Sequence, residues 1–374
     1  MPILLGVLLM LGFLTVVVAI HELGHFLLAR RFDMKIEQYF IGMGPKLWST
    51  RRGEIEYGVK AFPIGGYVRI TGMNPFETVA PGDLARTYGA KPAWQRALVI
   101  FAGPGTHFVV ALVIFTALLG IYGRPIPAVE ILEIQGINGH ISPAGTAGLL
   151  PGDIFVSADG EPITSSNSER LGKIAEANVG VPVDYVVRRG DRELTFAVVP
   201  ETARVAGEVT ARIGIVIGGA TEPVGPIQSV LSGGDLVGRS VTQSFITVGR
   251  VFGPEGVGSV FRALFSDAPR DPEGPTSVIG IGQVVGEAGT EGQWDRILEL
   301  LGFATVFIGL INLVPLPPFD GGHLLLLALE KLRGGRPIDM RKVIPVSIAV
   351  ISLLVLFVGA TMLLDITEPI TLSP

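Results

Sequence analysis

The chain has no cysteine among its 374 residues. Disulfides, thiolate metal sites and cysteine nucleophiles are therefore excluded. Charge is scarce as well: Asp, Glu, Lys and Arg make up 17% of the residues, whereas 48% are hydrophobic and mean hydropathy is +0.52. A water-soluble protein of this length carries more charge. Basic residues are not in excess, because the formal net charge is −5, so a general nucleic-acid role has no support. The averages hide a division. Both ends of the chain are strongly apolar, while residues 124–220 have the composition of an ordinary soluble domain.

A spanning helix needs about 20 largely apolar residues. Four stretches meet this: Pro2 to Ala29, Ala97 to Tyr122, Ile297 to Val314, and Val343 to Leu364. The first has no basic leader and no small-residue cleavage site after it, so it reads as a membrane helix rather than a signal peptide. Residues Arg30 to Arg96 hold eleven basic and six acidic side chains, and Glu330 to Lys342 hold five and two. Between Gly123 and Arg296 the balance reverses to thirteen basic and twenty-one acidic. The excess of Lys and Arg assigns the two shorter loops to the cytoplasm, and the N-terminus, the middle segment and the C-terminus to the outside.

Within the first loop, Ile55-Glu-Tyr-Gly-Val-Lys60 and Gly66-Tyr-Val-Arg-Ile70 alternate as hairpin strands do. In the outer segment, strand-like runs at Val129–Ile134, Ile154–Ala158, Val183–Arg188 and Glu193–Val199 surround a helical stretch near Ser168–Asn178. This β-β-α-β-β order, with Ser142-Pro-Ala-Gly-Thr-Ala-Gly-Leu-Leu-Pro-Gly-Asp153, resembles a PDZ domain of the bacterial protease-associated type. Residues 221–296 are rich in Gly and Pro, with semi-apolar stretches such as Leu231–Phe252 and Val257–Phe265. They read as amphipathic helices or linker on the outer leaflet.

The run His21-Glu-Leu-Gly-His25 carries the chemistry. Residues i and i+4 share a helix face, so both imidazoles can reach one metal ion, and Glu22 is close enough to act on water there. Three ionisable groups inside an apolar helix are costly and are rarely kept without a function. The motif lies five residues before Arg30, on the order of 10 Å beneath the cytoplasmic surface. A zinc site of this type takes three protein ligands, and Asp320, behind the prolines of Asn312-Leu-Val-Pro-Leu-Pro-Pro-Phe-Asp-Gly-Gly-His323, is the candidate third. Broken backbone at membrane depth is tolerated where it lines a cavity. An ordinary turn leading into the cytoplasmic loop is the alternative for this segment.

These motifs, with Gly42-Met-Gly-Pro45, Phe62-Pro-Ile-Gly-Gly-Tyr67 and Phe101-Ala-Gly-Pro104, make the chain similar to the site-2 protease family of intramembrane zinc proteases over nearly its full length. The resemblance implies a polytopic α-helical bacterial plasma-membrane protein with four transmembrane helices. It also implies a cytoplasmic, membrane-associated β-hairpin and an extracytoplasmic PDZ-like α+β domain. Four parts follow: residues 1–122 with the first two helices, the PDZ-like 124–220, the outer-leaflet 221–296, and 297–374 with the last two helices. By resemblance, His21, His25 and Asp320 bind Zn2+, and Glu22 is the general base near the cytoplasmic side. Asn312 and the strand residues Gly65, Gly66, Tyr67 and Val68 hold an unwound substrate. Substrates would be transmembrane proteins already trimmed by a first protease, such as anti-sigma factors or signal-peptide remnants.

One position departs from the family pattern Gly-Pro-x-x-Asn: here it reads Gly103-Pro-Gly-Thr-His107. His107 could donate a hydrogen bond in support of the active site, be a fourth metal contact, or be an introduced change. Two other functional classes stay open at this point, an ion-coupled transporter and a catalytically silent PDZ scaffold.

Overall fold

The computed structural model describes residues 2–74, 76–205, 208–266, 274–336 and 338–368. The chain's last six residues and residues 267–273 of the outer-leaflet segment lie outside this set. The chain divides into two compact units, residues 119–225 and the remainder.

The larger unit begins with α1 (Pro2–Arg31), which continues into β1 (Ile36–Arg52), β2 (Ile55–Ile70) and α2 (Ala93–Tyr122). β1 and β2 are long strands that bend sharply, at Gly42 and Gly44 (φ +86° each) and at Gly65 (φ +83°). The run at 36–41 thereby has a neighbour on each side: Tyr39 lies opposite both Val68 and Tyr57, and Phe40 opposite both Tyr67 and Gly58. The sheet therefore runs in the order 66–70, 36–41, 56–60, 46–52. Its root is anchored by Phe26, Ala29, Met34, Ile36, Ile70 and Val99, which form a buried apolar cluster with the end of α1. Further along, Leu47, Trp48 and Phe62 stay exposed.

In the smaller unit the strands are β3 (Arg124–Ile134), β4 (Ile154–Ala158), β5 (Glu161–Pro162), β6 (Val183–Arg189), β7 (Arg192–Val198), β8 (Glu201–Val205), β9 (Glu208–Arg212) and β10 (Ile215–Glu222). Its helices are α3 (Pro143–Ala147) and α4 (Arg170–Ala177). The main sheet has the order β10-β3-β4-β6-β7, with β5 beside β4, and β8–β9 form a separate hairpin. Val129, Ile131, Leu149, Phe155, Leu171, Tyr185, Val187 and Val198 build its core. Asp153 of the Pro-Gly-Asp turn is buried and accepts two hydrogen bonds from Arg189, at 2.6 and 2.7 Å, and one from Leu150 N–H.

The larger unit resumes with α5 (Pro226–Phe252), α6 (Pro254–Phe265), α7 (Val278–Thr290), α8 (Trp294–Asn312), α9 (Asp320–Leu332) and α10 (Met340–Thr367). Among the described residues, three helices are long and apolar enough to cross a membrane: α1, α2 and α10. Of the four stretches expected from sequence, the third corresponds to α8, whose 19 residues start with Asp295, Arg296 and Glu299 in the first two turns and is not among the three. The outer faces of α1 and α10 are lined by exposed Leu, Ile and Val. Helices α1 and α7 touch backbone to backbone: a Cβ on Gly6 would stand 2.0 Å from Gly282 O and 2.5 Å from Gly286 N. Where lipid removes most of the hydrophobic drive, small residues of this kind allow helices to associate by close packing.

Candidate metal centre

His21 and His25 are one turn apart on α1, so their rings emerge on one face. Their Nε2 atoms lie 3.1 Å apart. Asp320 Oδ2 is 3.1 Å from His21 Nε2 and 3.4 Å from His25 Nε2. Among the described residues this is the group of His, Cys, Asp and Glu that could hold a metal.

Glycine makes the convergence physically possible. At Gly24 a Cβ would stand 2.5 Å from Ala102 O, so α1 and α2 cross in contact. Gly103 follows, and a Cβ there would lie 2.3 Å from His25 Nε2. Pro104 cannot donate to the carbonyl four residues back, and the neighbouring carbonyl, that of Val99, accepts a hydrogen bond from His25 Nδ1 at 2.8 Å. Asp320 is carried by the first turn of α9, directly after the break at 313–319. The two glycines behind it let that turn fold back on the break: a Cβ on Gly321 would meet Leu313 O at 2.1 Å, and one on Gly322 would meet Pro317 N at 2.4 Å. At the other end of α9, Glu330 receives a two-pronged ion pair from Arg96 of α2, at 2.7 and 3.1 Å.

The donor chemistry fits zinc. His25 Nδ1 gives its proton to Val99, so in the neutral ring Nε2 presents a lone pair. That lone pair faces a carboxylate oxygen that is buried and has no hydrogen-bond partner. Acceptors directed at one point repel unless a cation lies between them. Tetrahedral zinc with bonds of about 2.0–2.1 Å sets its ligands about 3.3–3.4 Å apart, close to the 3.1–3.4 Å found here.

Of the other expected residues, Glu22 lies beside the last run of β2. Its Cγ is 3.1 Å from where a Cβ of Gly66 would be, and the Val68 N–H is turned toward its carboxylate. Gly65 provides the bend before this run. Tyr67 stacks on Phe40 with centroids 5.6 Å apart and donates to Gln38 Oε1. Asn312 is the last residue of α8, ahead of the break, and its amide N–H donates to Ile308 O at 3.0 Å. His107 does not point at the group of three: its Nε2 meets Nδ1 of His21 at 3.0 Å, on the far side of that ring from Asp320. His140, exposed in the smaller unit, and His323, in the first turn of α9, are not part of the group. Sequence reasoning missed the part of Gly24, Gly103, Gly321 and Gly322. Their occurrence inside helices where Ala has the better propensity was the available signal.

A membrane-embedded histidine–histidine–aspartate centre with a glutamate beside it defines a class of metallopeptidases. The family model for peptidase family M50 matches residues 9–357, and the chain belongs to that family. It is similar to the zinc metalloprotease Rip1 of Mycobacterium tuberculosis, at 32% identity over 95% of both chains. It is also similar to the protein of that name from Mycolicibacterium smegmatis, at 28% identity over 98% of both. A putative zinc metalloprotease of Brucella suis is 32% identical over 86% of this chain and 84% of its own. The chain is a multi-pass membrane zinc metalloprotease acting on membrane-protein substrates.

Proposed function

We propose that His21, His25 and Asp320 hold the zinc, that Glu22 is the general base, and that the enzyme cuts substrates inside their membrane segments once a first protease has trimmed them. The mutual distances of 3.1–3.4 Å among the three ligand atoms carry this reading. Bound zinc would polarise the scissile carbonyl and lower the pKa of water. Glu22 takes the proton from the attacking water and returns it to the departing amine as the C–N bond breaks. The last run of β2, with Gly65, Gly66, Tyr67 and Val68, offers an edge along which an unwound substrate adds as a strand, so that its freed backbone groups are paired. Asn312 steadies the substrate at the break after α8.

Four spans belong to the same proposal. α8 is 19 residues long, about 28 Å, near the thickness of the hydrocarbon layer. The distribution of Lys and Arg assigns the hairpin and the metal centre to the cytoplasmic side, and the smaller unit and both termini to the outside. Exposed Leu47 and Trp48 suit a hairpin dipping into the interface. The smaller unit, a sheet covered by two short helices and bearing the Pro-Gly-Asp turn, supports a PDZ-like filter against untrimmed substrates. Residues 226–265 (α5 and α6) would lie along the outer leaflet. Anti-sigma factors and signal-peptide remnants are the proposed substrates.

A catalytic trap tests the proposal. A Glu22→Gln chain should retain zinc and accumulate its natural substrate's membrane stub in the host. Turnover near the wild-type rate would remove Glu22 from the mechanism.

A further inference from the structure

His107 is 1% exposed, and its ring is held between α1 and α8. On one side its Nε2 lies 3.0 Å from His21 Nδ1. On the other, Gly309 approaches so closely that a Cβ there would stand 2.7 Å from Cβ of His107.

Two arrangements of the proton between these nitrogens are open. If His107 donates, neutral His21 carries its hydrogen on Nε2, the atom turned toward Asp320 and His25, and cannot ligate. If His21 donates from Nδ1, its Nε2 lone pair is directed at the same point as those of His25 Nε2 and Asp320 Oδ2. Only the second arrangement suits a metal ligand. We propose that His107 is a positioning residue that accepts the Nδ1–H of His21 through Nε2 and so holds His21 in its metal-binding tautomer and orientation.

The assignment rests on His21 being a zinc ligand. It gives the two ligand rings matched supports, both from α2: Val99 O receives His25 Nδ1–H, and His107 Nε2, eight residues further along, receives His21 Nδ1–H. Such outer partners orient a ligating imidazole and raise its basicity. The neutral His107 then has its own proton on Nδ1, and that atom is buried without a partner. That buried N–H carries a desolvation cost, which the ligating tautomer of His21 has to offset. The role is that of acceptor, not the donor or fourth ligand that the sequence left open.

Zinc affinity of the purified full-length protein, measured by competition with a chromophoric chelator, tests this with three variants. His107→Leu keeps bulk but offers no acceptor, and should weaken zinc binding by about 10–100-fold. His107→Asn offers a carbonyl oxygen and should bind within about threefold of wild type. With cobalt in place of zinc, the visible bands should shift in His107→Leu and return in His107→Asn. His21→Ala is the control for the underlying reading: zinc binding equal to wild type there would show that His21 is no ligand. With His21 confirmed, wild-type affinity in His107→Leu would overturn the proposal. So would equal losses in Leu and Asn, because ring volume and not hydrogen bonding would then be the property that matters.

Discussion

Gly103 of α2 and His25 of α1 approach so closely that a Cβ at position 103 would stand 2.3 Å from His25 Nε2, and 2.8 Å from His21 Nε2. The candidate metal centre is therefore shaped by the crossing of two membrane helices as much as by its proposed ligands. A methyl group at 103 cannot be relieved by turning a flexible side chain, because both rings are held through their Nδ1 atoms.

Gly103→Ala should therefore cost metal before it costs fold. Zinc per chain should fall at least about tenfold after dialysis, comparable to loss of an outer-shell support, while the helix signal in circular dichroism is retained. Full zinc content with normal cleavage would mean that the crossing can open by several tenths of an ångström without consequence.

Asp320→Ala and Gly321→Ala should reach the same end by different routes. The first removes a ligand, so zinc occupancy and cleavage fall together. The second leaves the carboxylate but puts a methyl group 2.1 Å from Leu313 O, which must move α9 relative to the break. We expect zinc loss in both, measured by atomic absorption. Tight, stoichiometric zinc in Asp320→Ala would assign the third ligand elsewhere.

Much of this centre could be read from the chain because helical spacing alone puts His21 and His25 on one face. The broken backbone ahead of Asp320 made it a candidate beside the alternative of an ordinary turn, and the family resemblance pointed to it as third ligand. The strands at Ile154–Ala158 and Val183–Arg189 emerge close to their expected limits, since alternation survives in short, half-buried strands. What the sequence concealed is distance. Periodicity says nothing about Gly6 meeting Gly282, so α7, inside a stretch read as surface helix or linker, packs on the helix that carries His21 and His25. β8 and β9 were also hidden, because Glu201–Arg212 has a mixed pattern whose pairing is set by its neighbours.

Asp365, near the end of α10, should matter for stability rather than chemistry. It is fully buried and accepts from the N–H groups of Ser277 and Gly280 at the start of α7, at 2.7 and 3.1 Å, while Gln283 Nε2 donates to its backbone carbonyl. It thereby caps α7 from another helix. Asp365→Leu would leave two buried donors unpaired, at about 1–3 kcal/mol each. Asp365→Asn keeps a carbonyl acceptor and should lose less. Thermal unfolding in detergent should rank wild type above Asn and Asn above Leu; equal midpoints for Leu and wild type would remove the cap.

The edge of β2 allows a sharper test than sequence permitted, because the structure shows which way Val68 faces. Its N–H is turned toward the Glu22 carboxylate and so away from the paired run at 36–41. Alternate residues of an antiparallel strand face opposite sides, so Tyr67, opposite Phe40, directs its backbone into the sheet. Proline lacks the N–H in either case. Val68→Pro should therefore lower cleavage at least about a hundredfold, within the range for disturbing a general base. It should leave zinc content and hairpin folding intact, and Val68→Ala, which keeps the N–H, should stay near wild type. Tyr67→Pro breaks pairing inside the sheet and should expose the hairpin to limited proteolysis as well. Substrates with helix-breaking residues in their membrane segment should be cut faster by the wild type, because less helix has to be unwound. Full activity in Val68→Pro would show that neither Glu22 nor the substrate depends on this strand's outward N–H groups. Proteolysis alike in the two proline variants would mean that position 68 acts through folding.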